Sequence, residues 1–342
     1  MSFPRLRYGL ALLPLTLLGG CGMVVMDPSG DIASQQADLI IVSTLLMLIV
    51  IVPVIFLTFY FAWRYRKNNK TAAYHPEWDH STKLELVIWG VPLLIIIALG
   101  LITWISTHKL DPYRPLDRID ADRPLAADHE PLNVQVVSLD WKWLFIYPEQ
   151  GVASINELVT PVDVPVRFHI TSSSTMNSFY IPALAGQIYS MPGMQTTLNA
   201  VINEPGEYQG FSANYSGAGF SDMRFKYLGV SDDKFDAWVQ KAKKQGGTLN
   251  RSEYLQLAQP STATPVTYYS TVAPDLYHAI LNRCVVEGKM CMDQMMMMGK
   301  GDGEMAGGAI KHGDKQKGGH SSALNMNSDD MARKQTNGQD DE

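Results

Sequence analysis

Gly210-Phe-Ser-Ala-Asn-Tyr-Ser-Gly-Ala-Gly-Phe-Ser-Asp-Met223 has the frame of a metal-binding loop and almost none of the ligands. Ser212, Ser216, Phe220 and Met223 stand four, four and three positions apart. A serine hydroxyl is hard, neutral at pH 7 and a poor ligand for copper, and a phenyl ring cannot ligate at all. Only the Met223 thioether has a ligand's chemistry, and a lone thioether binds weakly while filling core space well, so Met223 is expected in a core. Outward from the loop, strand signals recur. Arg224-Phe-Lys-Tyr227, Leu132-Asn-Val-Gln-Val136 and Val166-Arg-Phe-His-Ile170 alternate apolar and polar residues, and Glu204-Pro-Gly206 and Pro192-Gly193 punctuate them. Short strands over residues 132–230 predict an all-β sandwich or Greek-key barrel.

The loop resembles the one that holds the dinuclear copper centre, CuA, in subunit II of haem-copper oxidases, where the pattern is Cys-x3-Cys-x3-His-x2-Met with a second His upstream. Here the cysteine places carry Ser212 and Ser216, and the histidine places carry Phe220 and, in Met176-Asn-Ser-Phe179, Asn177. Asn214, between the two serines, completes the vestigial set, and Met223 alone matches the ligand type. Asp140-Trp-Lys-Trp143 continues the match. The chain is similar to the CuA-less, cytochrome bo-type ubiquinol oxidase subunit II. The resemblance implies a cupredoxin-like Greek-key domain that carries no cofactor and no catalytic residue. It also implies a complex in which subunit I holds the haems and catalytic copper, with subunits III and IV beside it and ubiquinol as substrate. Cytochrome c is not an expected partner. Trp141 and Trp143, two apart, are expected on one face of a strand, resembling the patch that accepts electrons from cytochrome c; with no copper behind it, packing or subunit contact is the expected role. His169, with no ligand partner nearby in sequence, reads as a surface or satisfied histidine.

The rest of the chain is a membrane part and a soluble part, which a mean hydropathy near zero conceals. A net charge of -6 over 342 residues, with no large basic block, offers no footing for nucleic acid. Residues 1–20 read as a signal peptide: Arg5 and Arg7 precede an apolar core from Gly9 to Leu18 that is too short to span a bilayer. Leu18-Gly-Gly-Cys21 resembles a lipobox, which implies acylation at Cys21 and a tether to membrane lipid; an ordinary signal with an incidental cysteine is the other reading. After a periplasmic segment (21–38), residues 39–63 and 86–107 are charge-free and each long enough to cross. The loop between them (64–85) holds Arg64, Arg66, Lys67, Lys70 and Lys83 and is placed in the cytoplasm, so the chain is expected as a multi-pass lipoprotein of the bacterial inner membrane with its C-terminal domain in the periplasm.

Two readings stand for Glu85 at the start of the second span. The resemblance implies the mouth of a proton pathway, and a carboxylate at a membrane rim has a movable proton affinity; the alternative is a solvated glutamate favoured by the helix dipole. Residues 108–131 read as a linker, 231–298 as a helical region with helices near Ser231–Lys241, Ser252–Leu257 and Pro274–Val286, and 299–342 as a disordered tail. Cys284 and Cys291, in an oxidising compartment, form a disulfide by default if geometry allows. The run from Met290 to Met298, with Met305, His312 and His320 beyond, is soft enough to bind Cu(I). Hence the competing function, a copper-binding membrane lipoprotein. A third class, a working cytochrome c oxidase subunit II, requires the absent thiolates.

Overall fold

The computed structural model describes residues 23–304 except 72, 74, 75, 127 and 128. Cys21, the expected signal peptide, and Met305, His312 and His320 lie outside the described residues. Two compact units divide the chain at residues 295 and 296. The second is described only to residue 304, where it is helical.

Two helices lead, α1 (Asp31–Arg64) and α2 (Thr82–Lys109), both long and apolar enough to cross a membrane. Their apolar side chains are exposed all round, as lipid-facing or partner-facing surface is. Pro53 and Pro92 sit inside them without ending them. α1 starts eight residues before the charge-free run, inside the segment expected to be periplasmic. The cause is tertiary: Asp31, Ala33 and Ala37 are buried, and Gly30 bridges Ile202. A side chain at Gly30 would run into the carbonyls of Leu184 and Val201, 2.8 Å from where its Cβ would stand. α2 likewise begins within the expected loop, so Glu85 falls in its first turn.

The strands are β1 (Leu132–Leu139), β2 (Lys142–Tyr147), β3 (Val152–Ile155), β4 (Glu157–Pro161), β5 (Val166–Ser172), β6 (Asn177–Ile181), β7 (Ala185–Ser190), β8 (Thr196–Ala200), β9 (Gly206–Ser212), β10 (Arg224–Val230), β11 (Gly247–Leu249) and β12 (Thr267–Val272). They form a seven-stranded sheet, ordered β11-β12-β3-β2-β1-β5-β8, and a five-stranded sheet, β4-β10-β9-β6-β7. β1 pairs β5 in parallel and β2 antiparallel, and β4 pairs β10 in parallel. The expected sandwich is therefore present.

Its core draws on both sheets, with Trp143, Phe145, Phe168, Phe179 and Phe225 at the centre. Phe179 and Phe225 stack with ring centroids 5.4 Å apart, and Trp143 meets both edge-on. A second core lies on the other face of the larger sheet, where Val137, Leu139, Leu144 and Ile146 meet Tyr254, Leu276 and Ile280. Burial on both faces explains why β2 is buried at every position instead of alternating.

The region after Val230 departs from the helical expectation. It contains α3 (Asp232–Gln245), α4 (Arg251–Leu257), α5 (Leu276–Leu281) and α6 (Met292–Glu304), but also β11 and β12, which extend the larger sheet. β12, whose Thr, Tyr and Val residues suit a strand, finds its backbone partners on β3. α3 buries Phe235, Trp238 and Val239, and the Trp238 indole donates to Glu157 Oε1 at 2.8 Å. The first residues of the expected tail, 299–304, are helical; the remainder lies outside the described residues.

The linker is irregular but held. Arg123 donates Nη1 and Nη2 to Asp163 at 2.9 and 2.8 Å and Nε to Asp120 at 2.6 Å. The guanidinium holds the Asp163 carboxyl below the usual carboxylate range, helped by a 3.0 Å hydrogen bond from Asn203. Folded Asp163 thus binds its proton more weakly than the unfolded chain does. Its stabilising contribution is complete above the ordinary range, about pH 4, and is lost as pH falls through the lower folded value. The gap in melting temperature between wild type and Asp163→Asn is expected to close as pH drops below about 4. A gap unchanged at lower pH contradicts the assignment.

Candidate functional site

The loop 212–223 joins β9 to β10 beside the first residue of β6, which puts Ser212 next to Asn177 across the five-stranded sheet. Ser212 Oγ lies 3.2 Å from both Asn177 Oδ1 and the Asn214 carbonyl, so its one hydrogen is shared between two acceptors. Asn177 Nδ2 donates to Ser138 Oγ at 3.4 Å and to the Thr175 carbonyl at 3.2 Å. Ser138 and Ser190 hydroxyls are 2.6 Å apart, and Ser190 donates to the Thr171 carbonyl at 2.8 Å, which leaves Ser138 as donor to Ser190. A directed chain results, from Ser212 through Asn177, Ser138 and Ser190 to a backbone oxygen. All four side chains are buried and every one is partnered. Fully satisfied polar groups of this kind stabilise and specify an interior, whereas half-satisfied ones would cost it.

Asn214 also reaches the Met176 carbonyl at 3.3 Å. Met223 is buried in the sandwich core, its sulfur 4.0 Å from Ser216 Oγ, as its packing role requires. Phe220 opens a short 3-10 turn and meets Tyr215 edge-on. Asn177, Ser212, Asn214, Ser216, Phe220 and Met223 thus gather around one loop, but the donor set is two hydroxyls, two amides, a phenyl ring and one thioether. Soft, anionic sulfur is what a dinuclear copper centre needs, and these residues do not fit it.

Trp141 and Trp143 do not share a strand face, contrary to expectation. Trp141 occupies the turn between β1 and β2 with φ of 67°, and Trp143, the second residue of β2, is fully buried in the sandwich core. The turn puts the Trp141 indole against the loop, where its Nε1 donates to the Ser216 carbonyl at 3.1 Å. Gly219 is required there, since an added Cβ would stand 2.4 Å from the indole ring. His169 is half-buried on β5 and bonds Gln195 at 3.2 Å; burial pushes its proton affinity down, with Arg167 adding to the effect.

Glu85 belongs to a different place. α2 carries it at the end opposite Lys109, about 36 Å away along the axis. His80 Nδ1 lies 2.7 Å from Glu85 Oε1, and its other ring nitrogen is 3.1 Å from Thr82 Oγ1, so the imidazole bridges the helix start. Sequence reasoning passed over His80, Ser138 and Ser190. The two serines come from strands remote from the loop, and no spacing announces them.

Cys284 and Cys291 are joined, with Cα atoms 4.8 Å apart and Cys284 buried in the second core. Met292 packs its thioether over Gly193, and Met295, Met296, Met297 and Met298 are exposed.

Comparison with known proteins agrees with this layout. Residues 132–228 match the family model described as the periplasmic domain of cytochrome c oxidase subunit II, and residues 243–288 match the COX aromatic-rich motif. The sandwich is accordingly the cupredoxin-like domain of that family. The cytochrome bo(3) ubiquinol oxidase subunit 2 of Pseudomonas putida is 50% identical over 82% of this chain and 87% of its own length. Its counterpart in Pseudomonas aeruginosa is 52% identical over 82% of each chain. The ubiquinol oxidase subunit 2 of Acetobacter aceti is 48% identical over 84% of this chain and 89% of its own. Identity at this level along most of both chains places this protein in the cytochrome bo(3) ubiquinol oxidase subunit 2 family.

Proposed function

We propose that this chain is the non-redox subunit II of a proton-pumping oxidase that takes electrons from ubiquinol and reduces oxygen to water. The observation that carries the reading is the neutral, self-satisfied network from Ser212 to Ser190 where an electron-relaying relative would hold copper. Quinol delivers electrons within the bilayer, so a periplasmic relay is unnecessary. The chain supplies scaffold and periplasmic cap in the inner membrane. Haems and catalytic copper belong to subunit I, with subunits III and IV completing the complex. Cys21 carries the lipid anchor, and the basic loop from Arg64 to Lys83 faces the cytoplasm. Purification in mild detergent tests the placement: haem-bearing partners are expected to co-elute, and a haem-free, copper-loaded monomer contradicts it.

Glu85 serves as the cytoplasmic entrance of a proton pathway. What supports this is its place at the first turn of α2, beside His80 and at the rim of an apolar span. Glu85→Gln is expected to cut oxygen consumption by the assembled complex about tenfold, less than the ~10²–10⁴-fold of a group that transfers the proton in the chemical step. Unchanged turnover reduces Glu85 to a helix-end charge.

A further inference from the structure

We propose that the groove between the periplasmic ends of α1 and α2 binds one zwitterionic phospholipid with a primary-amine headgroup, of the phosphatidylethanolamine class. A cavity of about 290 Å³ separates the two helices there. Asp38, Leu39 and Val42 line it from α1, and Ile102, Ser106 and Lys109 from α2. It meets a second cavity of about 250 Å³ that reaches toward the β-domain, with Gln35, Lys109 and Leu110 common to both and Asp111 on the second.

The lining changes character along the helix axes as a phospholipid does. The charge-free run of α1 begins at Leu39, so Leu39, Val42 and Ile102 form an apolar channel at hydrocarbon depth. Asp38 and Lys109 stand at its rim, about 6 Å above Val42 and about 10 Å above Ile102 by helical rise. Other charges on the second cavity are already engaged: Asp31 with Arg118, and Arg114 with Asp117. Lys109, Asp38 and Asp111 make no ion pair among the described residues. One cation and two carboxylates therefore face the headgroup level.

That set matches a phosphate on Lys109 and an ammonium on Asp38 and Asp111. An anionic glycerol headgroup leaves both carboxylates unpartnered and is repelled by them. Free phosphate has no chain for the apolar channel.

Photolabelling of the assembled oxidase tests this. A phosphatidylethanolamine probe with a diazirine in its acyl chain is compared with a phosphatidylglycerol probe of the same chains, and labelled peptides are mapped by mass spectrometry. Peptides containing residues 35–42 and 102–110 are expected to label about tenfold more with the ethanolamine probe, as losing charge-assisted bonds predicts. The double variant Asp38→Asn, Asp111→Asn, which leaves the ammonium no carboxylate and keeps Lys109, is expected to remove that preference, with haem content and quinol turnover showing that the complex assembles. Val42→Trp, which fills the channel and leaves the charges alone, is expected to lower labelling by both probes. Equal labelling by the two probes in wild type, or a preference that survives the double variant, overturns the proposal.

Discussion

Replacement of Asp31 by alanine is expected to destabilise the protein by about 3 kcal/mol, the lower end of the cost of breaking a buried ion pair. The Asp31 side chain is only 4% exposed and Arg118 is 26% exposed. Arg118 reaches it through two bonds, Nε to Oδ2 at 3.0 Å and Nη2 to Oδ1 at 2.8 Å, and Gln35 donates to Oδ2 at 2.8 Å. Loss of the carboxylate leaves a partly buried guanidinium without its partner, and removes an acid from the first turn of α1, where the helix dipole favours it. The pair joins the start of the membrane helix to the linker, so the joint between membrane and β-domain loosens as well. Thermal unfolding of the detergent-purified subunit measures the effect. The double replacement Asp31→Leu, Arg118→Met is expected to recover most of the loss, because the cost lies in an uncompensated charge. A loss below about 1 kcal/mol for the single variant is what an exposed pair would give and contradicts the account.

Phe179→Ala is expected to cost more, about 3–5 kcal/mol, the range for emptying a fully buried aromatic position. Phe179 is 0% exposed and touches Trp143, Phe145, Phe168 and Phe225, with centroid separations of 5.4, 6.4, 5.6 and 5.4 Å. Both sheets contribute to this cluster, so no single strand can move in to close the cavity. The same strand begins with Asn177, so the polar chain to Ser212 loosens with the core. The yield of haem-bearing complex is expected to fall in parallel with the denaturant midpoint. Phe179→Leu, which keeps most of the volume, is expected to lose less than half as much, and equal losses for the two would show that the emptied volume is not the cause.

The membrane helices and the sandwich are legible in the sequence because each rests on a local pattern, a long charge-free run or an alternation of apolar residues. The start of α1 is not legible. Asp31, Gln35, Gln36 and Asp38 make a polar stretch, and only Ala33 and Ala37, packed on the β-domain, reveal a buried helical face. β2 hides its period for the opposite reason, since two cores cover it and every residue is buried. The Trp141 turn is invisible to a two-residue periodicity because a left-handed residue breaks the strand just before it begins. β11 has only three residues and exists through its neighbours in the sheet. Thr267-Tyr-Tyr-Ser-Thr-Val272 of β12, by contrast, is β-branched and aromatic and suits a strand, a signal that the helical reading of 231–298 passed over. At the loop itself, the missing ligand types are plain from residues 177 and 212–223. What replaced the ligands is not, because Ser138 and Ser190 reach the network only through the sheet pairing.

The central claim is that electrons reach this oxidase from quinol in the membrane and bypass the β-domain loop. Oxygen uptake by the purified complex, supplied in turn with ubiquinol and with reduced cytochrome c, tests it most directly. The account predicts uptake with ubiquinol and none above background with cytochrome c. Sustained uptake with cytochrome c as sole donor would contradict it, since hydroxyls, amides and a phenyl ring cannot pass that electron on.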